Sequence, residues 1–258
     1  MNAYPVLLKK EWLEMKRSYK WLWMPLVFIA LGIMQPLTSY YLPDILEQFG
    51  GLPEGAVIEI PLPGAGQVFV ETLGQFSQIG LFVVVLGIMG MLSGERTGGT
   101  AVMVLAKPVS YFAYFFSKWT AAAAIVLISY VAGAAASLYY IYLLFDPISF
   151  ADVMSASFFY ILWLLFAVSL VLSLSTVLKR SAAVAGAGLV ILLLLSLLSS
   201  IFREPMLWTP GSLTLHSQAI MMNESPEGAW RSIISTILLS VLLVAGSIRY
   251  LKKKEWVQ

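Results

Sequence analysis

The chain has 258 residues, of which 59 per cent are apolar and 12 per cent charged, with a formal net charge of +2. Soluble domains carry roughly 25 per cent charged residues, so composition excludes an ordinary soluble fold and makes lipid the solvent for much of the surface. Cysteine is absent, which excludes a disulfide framework and a thiolate metal site.

The first twenty residues predict an amphipathic helix. Tyr4, Leu8, Trp12, Met15 and Tyr19 recur at spacings of four, four, three and four residues, the period of one helical face. Lys9, Lys10, Glu14, Lys16, Arg17 and Lys20 lie off that stripe, while Leu7 and Leu13 interrupt the polar side. Such a helix leading into a span reads as one lying in the inner membrane interface, its cations beside anionic headgroups. A secretory leader has a shorter apolar run and a small-residue cleavage site, so the start reads as mature protein.

Crossing a hydrocarbon core of roughly 30 Å takes about 20 mainly apolar residues. Six stretches qualify: 21–42, 75–93, 119–145, 153–178, 182–202 and 231–250. The expected fold is therefore all-α, a single transmembrane domain over 1–258 with an interfacial helix over 1–20. Lys179, Arg180 and Ser181 divide the fourth and fifth stretches, and two adjacent cations are costly at the bilayer centre, so a tight surface turn is expected there.

Orientation follows from the cations of the short loops. With the amino terminus inside, fourteen of the sixteen Lys and Arg residues fall inside, leaving Arg203 and Arg231 outside. Ten of the fourteen acidic residues fall outside. Both termini are thus expected in the cytoplasm, and the membrane is expected to be the cytoplasmic one.

None of the six stretches carries an ionisable residue in its interior, since Glu71 precedes the second and Arg231 opens the sixth. Proton-coupled transport usually relies on such residues, so any transport is expected to draw its energy from elsewhere. Small residues recur along the third stretch (Ser129, Gly133, Ser137) and read as helix packing within the bundle or a dimer seam. Ser169, Ser173 and Thr176 share a face of the fourth stretch, and Gln35 precedes Pro36 in the first. These four either line a translocation path or satisfy their own helices.

The outer segment 43–74 is rich in Gly and Pro, and short surface helices and turns are expected there. The last outer segment, 203–230, mixes Pro205, Trp208 and Pro210 with Leu213, Leu215, Ile220 and Met221, a pattern expected of a piece dipping back into the membrane. It also holds the one histidine, His216. A membrane metalloprotease needs several His or carboxylate ligands, and Ser212 lies on the same outer segment as His216 rather than facing it across a bundle. Enzymatic chemistry is not expected.

The inner loop 94–118 reads GERTGGTAVMVLAKPVSYFAYFFSK. Gly94, Gly98 and Gly99 permit tight turns, Thr100 can cap a short helix through Val104, and Pro108 ends it. A short helix framed by Glu95 and Lys107 suits docking of a soluble partner. Glu95, Gly99 and Thr100, followed by Leu105, Pro108-Val109-Ser110 and Lys118, resemble the inner loop of the type-2 ATP-binding cassette permeases. The resemblance extends over nearly the whole chain, including Lys10-Glu11 in the starting helix, the six spans and the basic tail. Tyr111 departs from it, standing where the family often has a basic residue.

That resemblance implies a permease subunit of an ATP-binding cassette transporter, most simply an exporter, built from two copies of this chain or from this chain and a related permease. It implies two copies of a separate ATPase docking on loop 94–118, with Glu11, Glu95, Gly98, Gly99, Thr100, Lys107 and Pro108 as the docking residues. ATP and Mg would be bound in that partner, and no Gly-x-x-x-x-Gly-Lys-Ser/Thr phosphate loop occurs in this chain. Membrane lipids are the other expected partners, and nucleic acid is not. The alternative is an ATPase-driven complex that pulls on a partner protein, or senses a ligand, without transporting a substrate.

Overall fold

A computed structural model describes residues 3–49, 61–106 and 109–253, and every regular element among them is helical. α1 (Tyr4–Arg17) turns at Tyr19, whose φ is 56°, into α2 (Lys20–Phe49). The next segment is built from α3 (Ala65–Gln75), a π-helical turn (Phe76–Gly80), α4 (Leu81–Ile88) and α5 (Gly90–Thr97). A short α6 (Thr100–Leu105) leads to α7 (Tyr111–Leu144), α8 (Phe150–Val177), α9 (Ser181–Ile201), α10 (Ser212–Met221) and α11 (Ala229–Lys253). Six helical stretches are long and apolar enough to cross a membrane: Lys20–Pro43, Ala65–Thr97, Tyr111–Leu144, Phe150–Val177, Ser181–Ile201 and Ala229–Lys253.

Two of these boundaries correct the reading from sequence. The second stretch begins at Ala65 rather than Gln75, and the third at Tyr111 rather than Trp119. Glu71 and Lys118 are therefore helical residues of these stretches, not loop residues ahead of them. The apolar runs marked only the parts that lipid requires; helix capping and internal packing carry the helices further. Ser110, for instance, caps α7 by accepting a hydrogen bond from the Ala113 amide at 3.1 Å.

The core is organised around α7 and α8. Trp163, Tyr130, Tyr160 and Phe76 are fully or almost fully buried there, with Tyr130 and Tyr160 stacked at 5.1 Å. α2 and α7 approach to backbone contact. A Cβ on Gly32 would stand 2.2 Å from the Gly133 carbonyl oxygen, and one on Gly133 would stand 2.6 Å from that of Phe28. Ser129 and Ser137 are buried on the same helix, and Ser137 shares a 3.0 Å hydroxyl contact with Thr72. The small-residue stripe of the third stretch thus packs within this chain, as expected where backbones must come close.

α8 ends at Val177 and α9 restarts at Ser181, with Leu178 and Arg180 extended between them. α10 buries Leu213, Thr214, His216 and Ser217, and the Ser217 hydroxyl donates to the Ala156 carbonyl of α8 at 2.8 Å. Residues 50–60, including Pro53, Glu54 and Glu59 of the Gly- and Pro-rich outer segment, lie outside the described residues, as do Lys107, Pro108 and Lys254.

Candidate functional site

The fully buried face of α1 overlaps the aromatic stripe only at Met15. Leu7, Glu11 and Met15 are buried, Tyr4, Leu8 and Trp12 are half-buried, and Tyr19 is 70 per cent exposed. The carboxylate of Glu11, which a purely apolar count assigns to the polar side, is instead the centre of the packed face. It can be buried because Lys118 of α7 meets it: Lys118 Nζ donates to Glu11 Oε1 at 2.8 Å. The Tyr4 hydroxyl adds a 3.0 Å hydrogen bond to Thr120 Oγ1 on the same helix.

Glu95, near the end of α5, completes the cluster. Its Oε1 lies 2.8 Å from Lys118 Nζ and also pairs with Lys10, while its Oε2 accepts a 2.6 Å hydrogen bond from the Tyr114 hydroxyl. Lys10 also pairs with Glu14 at 3.2 Å. The side chains of Lys118, Glu11 and Glu95 are 0, 3 and 5 per cent exposed. One carboxylate oxygen from each of Glu11, Glu14 and Glu95 falls within 4.8 Å of the others, and two ammonium groups stand among them. Buried charge is tolerable only when paired and hydrogen-bonded, and this cluster meets that condition. Burial would lower the pKa of Lys10, but the negative charges of Glu11, Glu95 and Glu14 and its bond to Glu95 outweigh that and raise it. Lys10 is therefore cationic throughout the physiological range.

The turn into α6 follows directly from this cluster. After α5 the chain turns through Gly98 and Gly99, and Gly99 has φ of 74°, a conformation glycine adopts without a Cβ penalty. Gly99 is therefore the N-cap of α6, and Thr100, expected to cap it, is its first helical residue; the Thr100 hydroxyl donates to the Glu95 carbonyl at 3.2 Å. α6 buries Ala101 and presents Val102 and Met103, the latter 73 per cent exposed. Ahead of this turn, Arg96 of α5 donates to the Thr176 carbonyl of α8.

α5 is set off from α4 by a break in the helical ladder at Met89. The Ser175 hydroxyl of α8 inserts there, donating to the Met89 carbonyl at 3.0 Å and accepting from the Ser93 amide at 2.9 Å. A side chain entering the ladder is a recognised cause of a helix bend. α5 is thus pinned to α1, α7 and α8, and the ladder rung between Ser93 and Met89 is replaced by the Ser175 hydroxyl.

The four polar residues considered for a path divide into two sets. Ser169, Ser173 and Thr176 are buried and donate to carbonyls of their own helix at 2.9, 2.7 and 2.6 Å. Ser169 also accepts from Trp119 Nε1 at 2.8 Å. Gln35 instead faces α3, where its amide donates to Glu71 Oε2 at 2.8 Å. Ser39 and Gln67 donate to the same carboxylate at 3.1 Å each, and Gln75 donates to Gln35 Oε1.

Sequence reasoning missed Lys118 and Glu71 because each lies a few residues outside an apolar run. The available signals were the spacing Tyr114–Lys118, one turn apart in an aromatic stretch, and Gln67–Glu71–Gln75, polar at every fourth residue.

Comparison with known proteins agrees with this architecture. The sequence pattern of the ABC-2 family transporter proteins matches residues 6–210. The chain is also 32 per cent identical to the uncharacterised transmembrane protein YxlG of Bacillus subtilis (strain 168) over 256 residues, covering 99 per cent of both chains. The chain is a multi-pass membrane protein and belongs to the ABC-2 transporter family. Members of that family are membrane components that normally work with a separate ATPase subunit rather than as catalysts themselves.

Proposed function

We propose that this chain is the permease subunit of an ATP-binding cassette exporter in the cytoplasmic membrane, with both termini in the cytoplasm. A second permease, identical or related, completes the path. Two ATPase subunits dock on the hairpin 94–118, and binding and hydrolysis of ATP, with its Mg, take place in them. The observation that carries this reading is the placement of α6: a solvent-facing apolar tip, Val102–Met103, on a hairpin whose base is pinned by the buried Lys118 cluster. A force applied at the tip reaches α1, α7 and α8 through ion pairs and through Arg96, while the break at Met89 lets α5 swing without unfolding α4.

In this mechanism Glu95 positions the docking helix and does not itself grip the partner, because its carboxylate is occupied by Lys118, Lys10 and Tyr114. Glu11 does the same for α1. Gly98, Gly99 and Thr100 form the turn that aims α6, and Lys107 and Pro108, outside the described residues, come next in the sequence.

The test is Met103→Glu in the chain co-expressed with its ATPase. The substitution places a charge on an exposed tip and leaves the bundle intact. Loss of ATPase co-purification, with the permease still monodisperse, is the expected result. Full retention of the ATPase with unchanged ATP turnover would remove α6 as the docking element.

A further inference from the structure

Glu71 differs from Glu11 and Glu95, the two fully buried carboxylates among the described residues. Glu11 and Glu95 are neutralised by Lys118 and Lys10, whereas the partners of Glu71 are the neutral donors Gln35, Ser39 and Gln67. No Lys, Arg or His among the described residues forms an ion pair with it. It is half-buried on a helical stretch apolar enough to cross the membrane. An ionisable group in such a place normally has a partner and a task. The same network contains a second deficiency: Gln75 Oε1 is buried and accepts no hydrogen bond, a state rarely left unsatisfied.

Both deficiencies have one chemical remedy. A positive charge bearing N–H groups would neutralise Glu71 and supply the donor that Gln75 lacks; a neutral molecule supplies no charge, and a quaternary cation supplies no donor. Further along the same helix face, Gln78 lies roughly 10 Å from Glu71, at about 1.5 Å per residue. There a groove of about 420 Å³ opens between this stretch, α9 and α10. Ser77, Gln78 and Gln218 stand at its wall beside Leu193, Leu194 and Leu197, a lining that accepts an alkyl chain.

We propose that Glu71, with Gln35, Gln67 and Gln75, forms a recognition site for the ammonium group of a primary-amine amphiphile, whose apolar part lies in the groove beside Gln78. This rests on the permease reading and specifies its substrate class. Entry of the ammonium group requires Gln75 to rotate its amide toward the carboxylate, exchanging its bond to Gln35 for one to the ligand.

The experiment uses the full chain with its ATPase in phosphatidylcholine nanodiscs, which carry no net lipid charge. Dodecylammonium, dodecyltrimethylammonium and dodecanoate are compared as competitors of modification of Glu71 by a hydrophobic carbodiimide, read by mass spectrometry. Dodecylammonium is expected to protect Glu71 at concentrations at least tenfold below the other two. Direct binding of dodecylammonium is expected to weaken at least tenfold in Glu71→Gln and to recover in part in Glu71→Asp. Equal protection by all three amphiphiles, or unchanged binding in Glu71→Gln, would overturn the proposal. Protection of Glu71 by dimerisation alone, with no amphiphile effect, would also overturn it and assign the face to a second copy. The permease reading is judged separately, by whether the ATPase co-purifies with the unaltered chain.

Discussion

Lys118 Nζ lies 2.8 Å from a carboxylate oxygen of Glu95 and 2.8 Å from one of Glu11, so a single buried ammonium group joins α5, α1 and α7. Removing it leaves Lys10 as the one remaining ion-pair partner of the two buried carboxylates among the described residues. Breaking a buried pair in this way costs about 3–5 kcal/mol. Lys118→Ala is therefore expected to lower the thermal unfolding midpoint in detergent sharply, with α1 detaching first. Combining Lys118→Met with Glu11→Gln and Glu95→Gln leaves no uncompensated charge, and is expected to recover most of the loss. If the triple variant is as unstable as the single one, the cluster is not held by charge pairing.

The approach of α2 and α7 gives a steric prediction. A Cβ on Gly133 would sit 2.6 Å from a backbone carbonyl that cannot rotate away, and forced repacking of a tight site costs about 1–3 kcal/mol. Gly133→Ala should be destabilising by that amount in chemical unfolding. Gly246→Ala, with nothing within 4 Å of the new Cβ, serves as the neutral comparison.

His216 supplies a pH dependence. Burial lowers its pKa from the usual 6.5, against a smaller opposing effect of a hydrogen bond with the Leu207 backbone. Its Nε2 has no partner, and its ring packs 5.6 Å from that of Phe159. Where the folded pKa lies below the unfolded one, the opened state binds more protons, so stability rises with pH across that interval. α10 should thus be fully anchored above pH 6.5 and loosen as pH falls below it. Protection of the Ser212–Met221 amides, after correction for the pH dependence of intrinsic exchange, is expected to fall on acidification in the wild type, and to lose that dependence in His216→Gln.

Ser175 tests the articulation of the hairpin. Ser175→Ala frees the Met89 carbonyl and the Ser93 amide to bond each other, closing the ladder between α4 and α5. The stability change is then small, on the order of one hydrogen bond, about 0.5–1.5 kcal/mol. Spin labels at Phe82 and Met103, both exposed, should show a narrower distance distribution in the variant. An unchanged distribution would mean that Ser175 does not loosen the junction of α4 and α5.

The helical class and six spans were legible because lipid imposes a coarse requirement that composition satisfies openly, and the family was legible through the resemblance carried by loop 94–118. The turn at Lys179–Ser181 and the turn at Gly98–Gly99 ahead of α6 were legible because cations and glycines mark chain reversals. What escaped was polar chemistry inside helices. Leu7 was assigned to the polar side and Tyr19 to the apolar one, because hydrophobicity cannot anticipate that Glu11 is buried when Lys118 arrives from a distant helix. Glu71 was left outside the second span for the same reason: two of its three neutral donors, Gln35 and Ser39, come from another helix, and the polar repeat Gln67–Glu71–Gln75 does not by itself reveal them. Thr100 was taken as a cap because Ser and Thr usually are, but the left-handed backbone at Gly99 moved the helix start by one residue.

The central claim is that a nucleotide-burning partner grips the tip of α6. A photoreactive amino acid placed at Met103, in membranes containing the chain and its ATPase, measures this most directly. The account predicts an adduct with a subunit that carries a phosphate loop, formed from the cytoplasmic side, with a yield that changes when ATP is replaced by ADP. An adduct formed only from the opposite side of the membrane, or none with any ATPase while the chain purified alone hydrolyses ATP, would contradict it.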